Sequence, residues 1–302
     1  MRFIIHAGMG KTGTTALQRS LAASYHALRD IGVLYPISGR YSPTSLNHWA
    51  LFIALLDQGH RIHEPSPAPT PRCTFVEYLG EIAEEAVASN ATHIVLSCEA
   101  IWNPGSFSRE VLARIAEALR THETSILVSL RDPISHAESA YRQKVKGPQR
   151  FCARPAEMIA SFVARGEYAY KDRLLELEAA FGKGSIYAYW YDEARSTVPL
   201  LGLLPAAARE VISPMRDENV SPTWSETMLF RWRNRMTRRL AVPKTPVDAV
   251  AALIHRSKVL RRLDSHRSYP FTAADLAKLT EVAREERDAI KMVCDRNWWR
   301  SP

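Results

Sequence analysis

The stretch Gly8-Met9-Gly10-Lys11-Thr12-Gly13-Thr14-Thr15 decides how the chain is read. Ahead of it, residues 2–7 form a short apolar run closed by glycine, the pattern of a buried strand. Behind it, residues 14–29 carry Leu17, Leu21 and Leu28 at helical spacing. A glycine-rich turn between strand and helix gathers backbone N–H groups before a helix N-terminus, which makes a cradle for phosphate. Against the Walker pattern G-x-x-x-x-G-K-[ST], Gly8, Gly13 and Thr15 fit. Thr14 stands where the lysine belongs, and Lys11 comes three residues early. Nucleoside triphosphate chemistry needs that lysine on the terminal phosphates and an acid on magnesium. The loop reads as a phosphate binder poorly suited to ATP.

Working outward, apolar runs at 33–35, 93–98, 125–130 and 185–190 predict four further strands. Helical patterns fill 46–56, 74–89, 109–121, 155–165 and 171–181, and Asp132-Pro133 opens another helix as cap and first residue. The alternation predicts an α/β fold: a mainly parallel sheet flanked by helices, of the P-loop-containing nucleotide-binding type. Beyond Pro214 the pattern is helical only, at 221–240, 247–260 and 273–294. The expected organisation is an α/β core over 1–214 and a basic helical subdomain over 215–302 packed on it. Residues 64–72, with four alternating prolines, predict an extended surface loop.

The 302 residues include 40 Lys and Arg against 32 Asp and Glu, a net charge of +8, with 46% hydrophobic residues. Disordered and fibrous classes are excluded. The excess is local: 231–262 holds ten basic residues and one acid, Asp248, so that stretch carries +9 and the rest −1. Such a focused field suits a polyanionic partner: an anionic glycan, a lipid-linked sugar, or a membrane surface touched peripherally. Trp232 is the only Trp, Tyr or Phe in the stretch, which gives nucleic-acid stacking little support. Cys73, Cys98, Cys152 and Cys294 lie far apart and the histidines form no ligand-spaced group, so reduced thiols and no metal site are expected. The longest apolar run, 50–56 with Trp49 ahead of it, has eight residues, far short of the roughly 20 that span a bilayer. The N-terminal apolar segment is too short for a secretory signal, so the expected location is the cytoplasm, at most against the inner face of a membrane.

On these residues the chain resembles the sulfotransferases that use 3′-phosphoadenosine-5′-phosphosulfate (PAPS). Lys11-Thr12-Gly13-Thr14-Thr15 after a first strand is similar to their 5′-phosphosulfate loop, with Gly10 where many members have proline. Arg131 at a strand end, with Ser139 eight residues later, resembles the pair that holds the cofactor's 3′-phosphate. Weaker likenesses are the strand-end segment 187–193 and the Asn-Val-Ser at 219–221. The resemblance implies transfer of a sulfuryl group from PAPS to a hydroxyl or amine of a carbohydrate or glycolipid acceptor, without metal, releasing adenosine 3′,5′-bisphosphate. It assigns Gly10, Lys11, Thr12, Gly13, Thr14 and Thr15 to the 5′-phosphate side, Lys11 to the leaving-group charge, and Arg131 and Ser139 to the 3′-phosphate. Two residues compete as the base that takes the acceptor's proton. Glu99 follows the run 93–98, and glycan-modifying members often use a glutamate. His48, in Leu46-Asn47-His48-Trp49, is the rival, as small-molecule members often use a histidine. Two other readings stay open: a P-loop phosphotransferase using a nucleoside triphosphate, and a non-catalytic nucleic-acid-binding protein acting through the basic helices.

Overall fold

The computed structural model of the protein describes residues 1–56, 70–147, 150–192, 197–213, 222–239 and 271–293. They divide into two compact units: Met1–Arg131, Ala169–Glu218 and Glu286–Pro302 form the first, Asp132–Tyr168 and Asn219–Glu285 the second. The second unit thus takes in 132–168 as well as 219–285, and 286–302 belongs to the first.

The first unit is built on five strands: β1 (Arg2–Gly8), β2 (Val33–Leu34), β3 (His93–Ser97), β4 (Glu123–Leu130) and β5 (Ile186–Trp190). All pair in parallel, in the order β2-β3-β1-β4-β5. Each of the five apolar runs therefore became a strand. Buried on both faces, such strands need no alternation, which is why they read as continuous apolar runs. The chain leaves β1 toward one edge of the sheet and β4 toward the other, and open α/β sheets hold ligands beyond the carboxyl ends of strands arranged in this way.

One face is covered by α1 (Thr14–Ala23) and α2 (Tyr25–Asp30). Leu17, Leu21 and Leu28 pack there with Ile4, Val95, Leu127 and Tyr189, and with Leu200, Leu203 and Leu204 from further along the chain. Each fully buried leucine of this set contributes about 1.5–3 kcal/mol. The helix predicted over 14–29 breaks at Ser24, whose hydroxyl accepts from Ser213 N–H at 2.8 Å. That partner is too distant in sequence to be anticipated. The helix predicted over 46–56 contracts to α3 (Trp49–Ile53), because the side chain of His48 is bound elsewhere, as described below. Next come α4 (Phe75–Ala88), begun by a Thr74/Glu77 capping box, and α5 (Arg109–Ala118).

In the second unit α6 (Pro133–Lys146) begins as predicted: the Asp132 carboxylate accepts from Ile134 N–H at 3.0 Å and Ser135 N–H at 3.2 Å. After it come α7 (Pro155–Ala164) and, back in the first unit, α8 (Tyr170–Phe181), α9 (Thr197–Leu201) and α10 (Ala208–Val211). Helix α11 (Trp224–Arg239) packs on α6 in the second unit, and α12 (Ala273–Val293) is the last described element. The helix expected over 247–260, the segment 219–221 and Cys294 lie outside the described residues. Among the described residues no helix is long and apolar enough to cross a membrane.

Candidate active site

Because the strands are parallel, the residues that follow them gather at one end of the sheet. Within the first unit, β1 delivers the loop 9–13, β3 delivers Glu99, β4 Arg131, and β5 Tyr191. The sheet register does the positioning.

The loop leaves β1 in close contact with β4. A Cβ on Gly8 would lie 2.0 Å from Ser129 Oγ and 2.9 Å from its backbone nitrogen, so only glycine fits. Met9 N–H then donates to Ser129 O at 3.0 Å. Lys11 and Gly13 both adopt left-handed backbone, with φ of 69° and 72°. For lysine this costs about 1 kcal/mol, and such strain gathers at functional sites. Left-handed residues alternating with others turn successive N–H groups toward a common point, a nest for an anion at the start of α1. Gly13 cannot carry a side chain, since its Cβ would stand 2.7 Å from Tyr191 Cε2.

The threonines divide their duties. Thr12 is buried, and its hydroxyl donates to Met9 O at 2.7 Å and lies 2.7 Å from Ser129 Oγ. The Thr12 side chain thus braces the loop against Met9 and the end of β4. The hydroxyl of Thr14 donates to the Glu99 carboxylate. Thr15 is half-buried in the first turn of α1.

Glu99 opens a short 3-10 turn, Glu99–Trp102, and its Oε2 lies 3.9 Å from the point where a Gly10 Cβ would stand. The carboxylate thus lies over the loop. Arg173 of α8, 4% exposed, anchors the turn. Its guanidinium donates to Trp102 O at 3.1 Å, to Phe107 O at 2.9 Å, to Ile101 O, and to Glu176 at 2.7 Å. Arg131 supports the loop from β4: Nη1 donates to Lys11 O at 2.7 Å. Its guanidinium carbon lies 5.6 Å from the Tyr191 ring centroid, and Nε lies 3.7 Å from Asp192 Oδ1. Tyr170 hydroxyl fixes the Arg131 carbonyl at 3.0 Å.

His48 is elsewhere in character. It is fully buried, with Nε2 2.9 Å from Pro36 O and Nδ1 accepting from Ser97 N–H at 3.0 Å. The ring meets Tyr35 edge-on at 4.9 Å, and burial pushes its pKa down to about 3. With both nitrogens engaged and protonation opposed, the candidate base is a core histidine that ties the segment after β2 to β3. A second buried histidine, His6, has Nδ1 3.0 Å from Ser97 Oγ, and burial lowers its pKa to about 4. Gln18 donates to the same hydroxyl at 3.0 Å.

Ser139 lies on α6, in the second unit. Lys11, Glu99, Arg131 and the loop are brought together; His48 is not among them. Sequence reasoning missed Ser129, Ser97 and Arg173. A serine opposite a glycine is informative only once the β1–β4 register is known, and Arg173 resembles any helix-surface arginine until its burial is seen.

No family model matches the chain, and no curated protein matches it. Among solved structures it is similar to a sulfotransferase from Alicyclobacillus acidocaldarius, at 18% identity over 83% of this chain and 95% of that one, with a TM-score of 0.46.

Proposed function

We propose that the protein is a sulfotransferase that takes a sulfuryl group from PAPS and gives it to a hydroxyl or amine of a carbohydrate or glycolipid acceptor. The observation that carries the reading is the loop itself: Lys11 and Gly13 at positive φ before α1, with the Glu99 carboxylate above Gly10. An N–H nest suits the 5′-phosphate, and a lysine within it suits the charge that a departing phosphate develops.

In the proposed reaction the acceptor oxygen or nitrogen attacks sulfur, the bond from sulfur to the bridging oxygen breaks, and adenosine 3′,5′-bisphosphate leaves. Lys11 stabilises the charge on that oxygen, which matters more in the transition state than in the ground state. Glu99 takes the acceptor's proton. His48 is not proposed for this role, given its buried and doubly bonded ring. Arg131, a planar fork beside the loop, is proposed for the 3′-phosphate. A share for Ser139 in that contact rests on the sequence resemblance alone.

The test is bisphosphate release from PAPS with a panel of carbohydrate acceptors. Lys11→Ala is expected to cut turnover by about 100-fold or more while weakening bisphosphate binding far less. Arg131→Ala is expected to erase the preference for a 3′-phosphorylated nucleotide over its 3′-hydroxyl counterpart. Turnover that survives Lys11→Ala would overturn the assignment of the loop. Magnesium-dependent transfer from ATP would replace the reading with a phosphotransferase.

A further inference from the structure

Helix α11 presents to solvent a face that the chemistry of the candidate active site does not use. Its inner side is committed: Glu226, Thr227, Phe230 and Asn234 are buried. Asn234 donates to Val145 O at 2.8 Å and Phe151 O at 2.9 Å, and Glu226, the only acid of the helix, accepts from Thr223 N–H at 2.8 Å. On the outer side Trp224, Met228, Trp232 and Met236 recur at every fourth position, which places them along one stripe. Met228 is 40% and Trp232 48% exposed, while Trp224 and Met236 are half-buried. Trp232 is the only exposed tryptophan among the described residues, and exposed Arg235 lies one turn beyond Trp232 and two beyond Met228.

We propose that this face of α11, the Trp224–Met228–Trp232–Met236 stripe with Arg235 beside it, docks the protein on an anionic lipid bilayer. A polar surface has no reason to hold four large apolar side chains in register at the water boundary, whereas the headgroup region accepts tryptophan and methionine together with cations. Charge excludes the nearer alternatives. The helix carries five arginines and one buried acid, so a second copy of the same face would meet it with like charge. The following stretch 240–270 adds six Lys and Arg against two Asp, so the positive charge continues along the chain. An anionic glycan would satisfy the arginines but leave the methionines in water. An anionic leaflet complements both halves, with each basic residue near its surface adding to the attraction.

The test is co-sedimentation of the full chain with phosphatidylcholine vesicles, with and without about one quarter phosphatidylglycerol. Binding is expected to the anionic vesicles only, and to be lost at about 0.5 M salt, where surface charges are screened. Trp232→Ser and Met228→Ser are each expected to weaken it about tenfold, since each withdraws one inserted apolar group. Arg235→Glu should weaken it more than Lys183→Glu, a charge reversal of equal size at an exposed site in the first unit. These side chains are exposed, so the variants retain the fold, and no part of the test depends on catalysis. Vesicle binding unchanged by Trp232→Ser and Met228→Ser would overturn the proposal. So would a Trp232 emission shift with soluble sulfated polysaccharide but not with anionic vesicles, which would make the face a glycan surface.

Discussion

Lys11 is the residue at which strain and chemistry coincide. A lysine at φ 69° is held there by Arg131, which grips its carbonyl, and by the brace of Thr12 against Met9 and Ser129. Glycine would adopt that backbone without penalty. Lys11→Gly is therefore expected to stabilise the fold by about 1 kcal/mol while abolishing turnover. Lys11→Ala should abolish turnover with no such gain, since alanine keeps the strain. Thermal midpoints of the two variants beside wild type decide the matter. Equal midpoints would mean that the left-handed backbone stores no strain. The loop was legible in the sequence because glycines and a lysine between a strand and a helix have few other uses. The division of labour among its threonines was not, because Thr12 and Thr14 have the same side chain and only the fold aims one at Ser129 and the other at Glu99.

At the scale of elements, the turn that carries Glu99 owes its place to α8. Arg173 satisfies three carbonyls around that turn from a buried position and pairs with Glu176. Arg173→Ala is expected to cost about 3–5 kcal/mol, because it strands those three carbonyls, while Glu176 keeps its pair with Arg109 at 3.1 Å. In the surviving folded fraction, turnover should fall more than bisphosphate binding, since the proposed base sits on that turn whereas the loop backbone is held by Thr12, Ser129 and Arg131. Equal losses in both would assign Arg173 to the fold alone.

The central strands make a second prediction. His6 and His48 are neutral in the folded protein, with pKa values lowered by burial to about 4 and about 3 from 6.5. Unfolding lets both take up protons below pH 6.5, so their contribution to stability is full above that value. It is lost as pH falls from 6.5 toward 4 for His6 and toward 3 for His48, by on the order of several kcal/mol in total. Urea unfolding across that window should show the decline, and NMR should find two of the ten histidines still neutral at pH 5. Imidazoles that all titrate near 6.5 in the folded protein would contradict the buried placement. All five strands were readable as short apolar runs, and the cap at Asp132 as a local pattern. The break at Ser24 and the shortened α3 were not, because Ser213 and Ser97, which cause them, lie 189 and 49 residues away along the chain.

At the scale of the whole molecule, the sequence separates two physical problems. The first unit supplies a parallel sheet whose strand ends concentrate a strained glycine-rich loop, a carboxylate and an arginine. The second contains the start of the basic stretch, where the +9 of 231–262 begins on α11. Composition made that charge legible, but not that the helix also lines up tryptophan and methionine on its outer side, which requires knowing the buried side. The proposed membrane face and the proposed reaction thus draw on separate parts of the chain and can fail independently.

The central claim is that the loop 8–15 holds the phosphate of a 3′-phosphorylated adenine nucleotide rather than a nucleoside triphosphate. Calorimetric titration with adenosine 3′,5′-bisphosphate in the absence of metal, beside ATP with magnesium, tests it most directly. The expected result is micromolar binding of the bisphosphate, well ahead of magnesium-ATP and weakened by Arg131→Ala. Preference for magnesium-ATP, or no binding of either nucleotide, would contradict it.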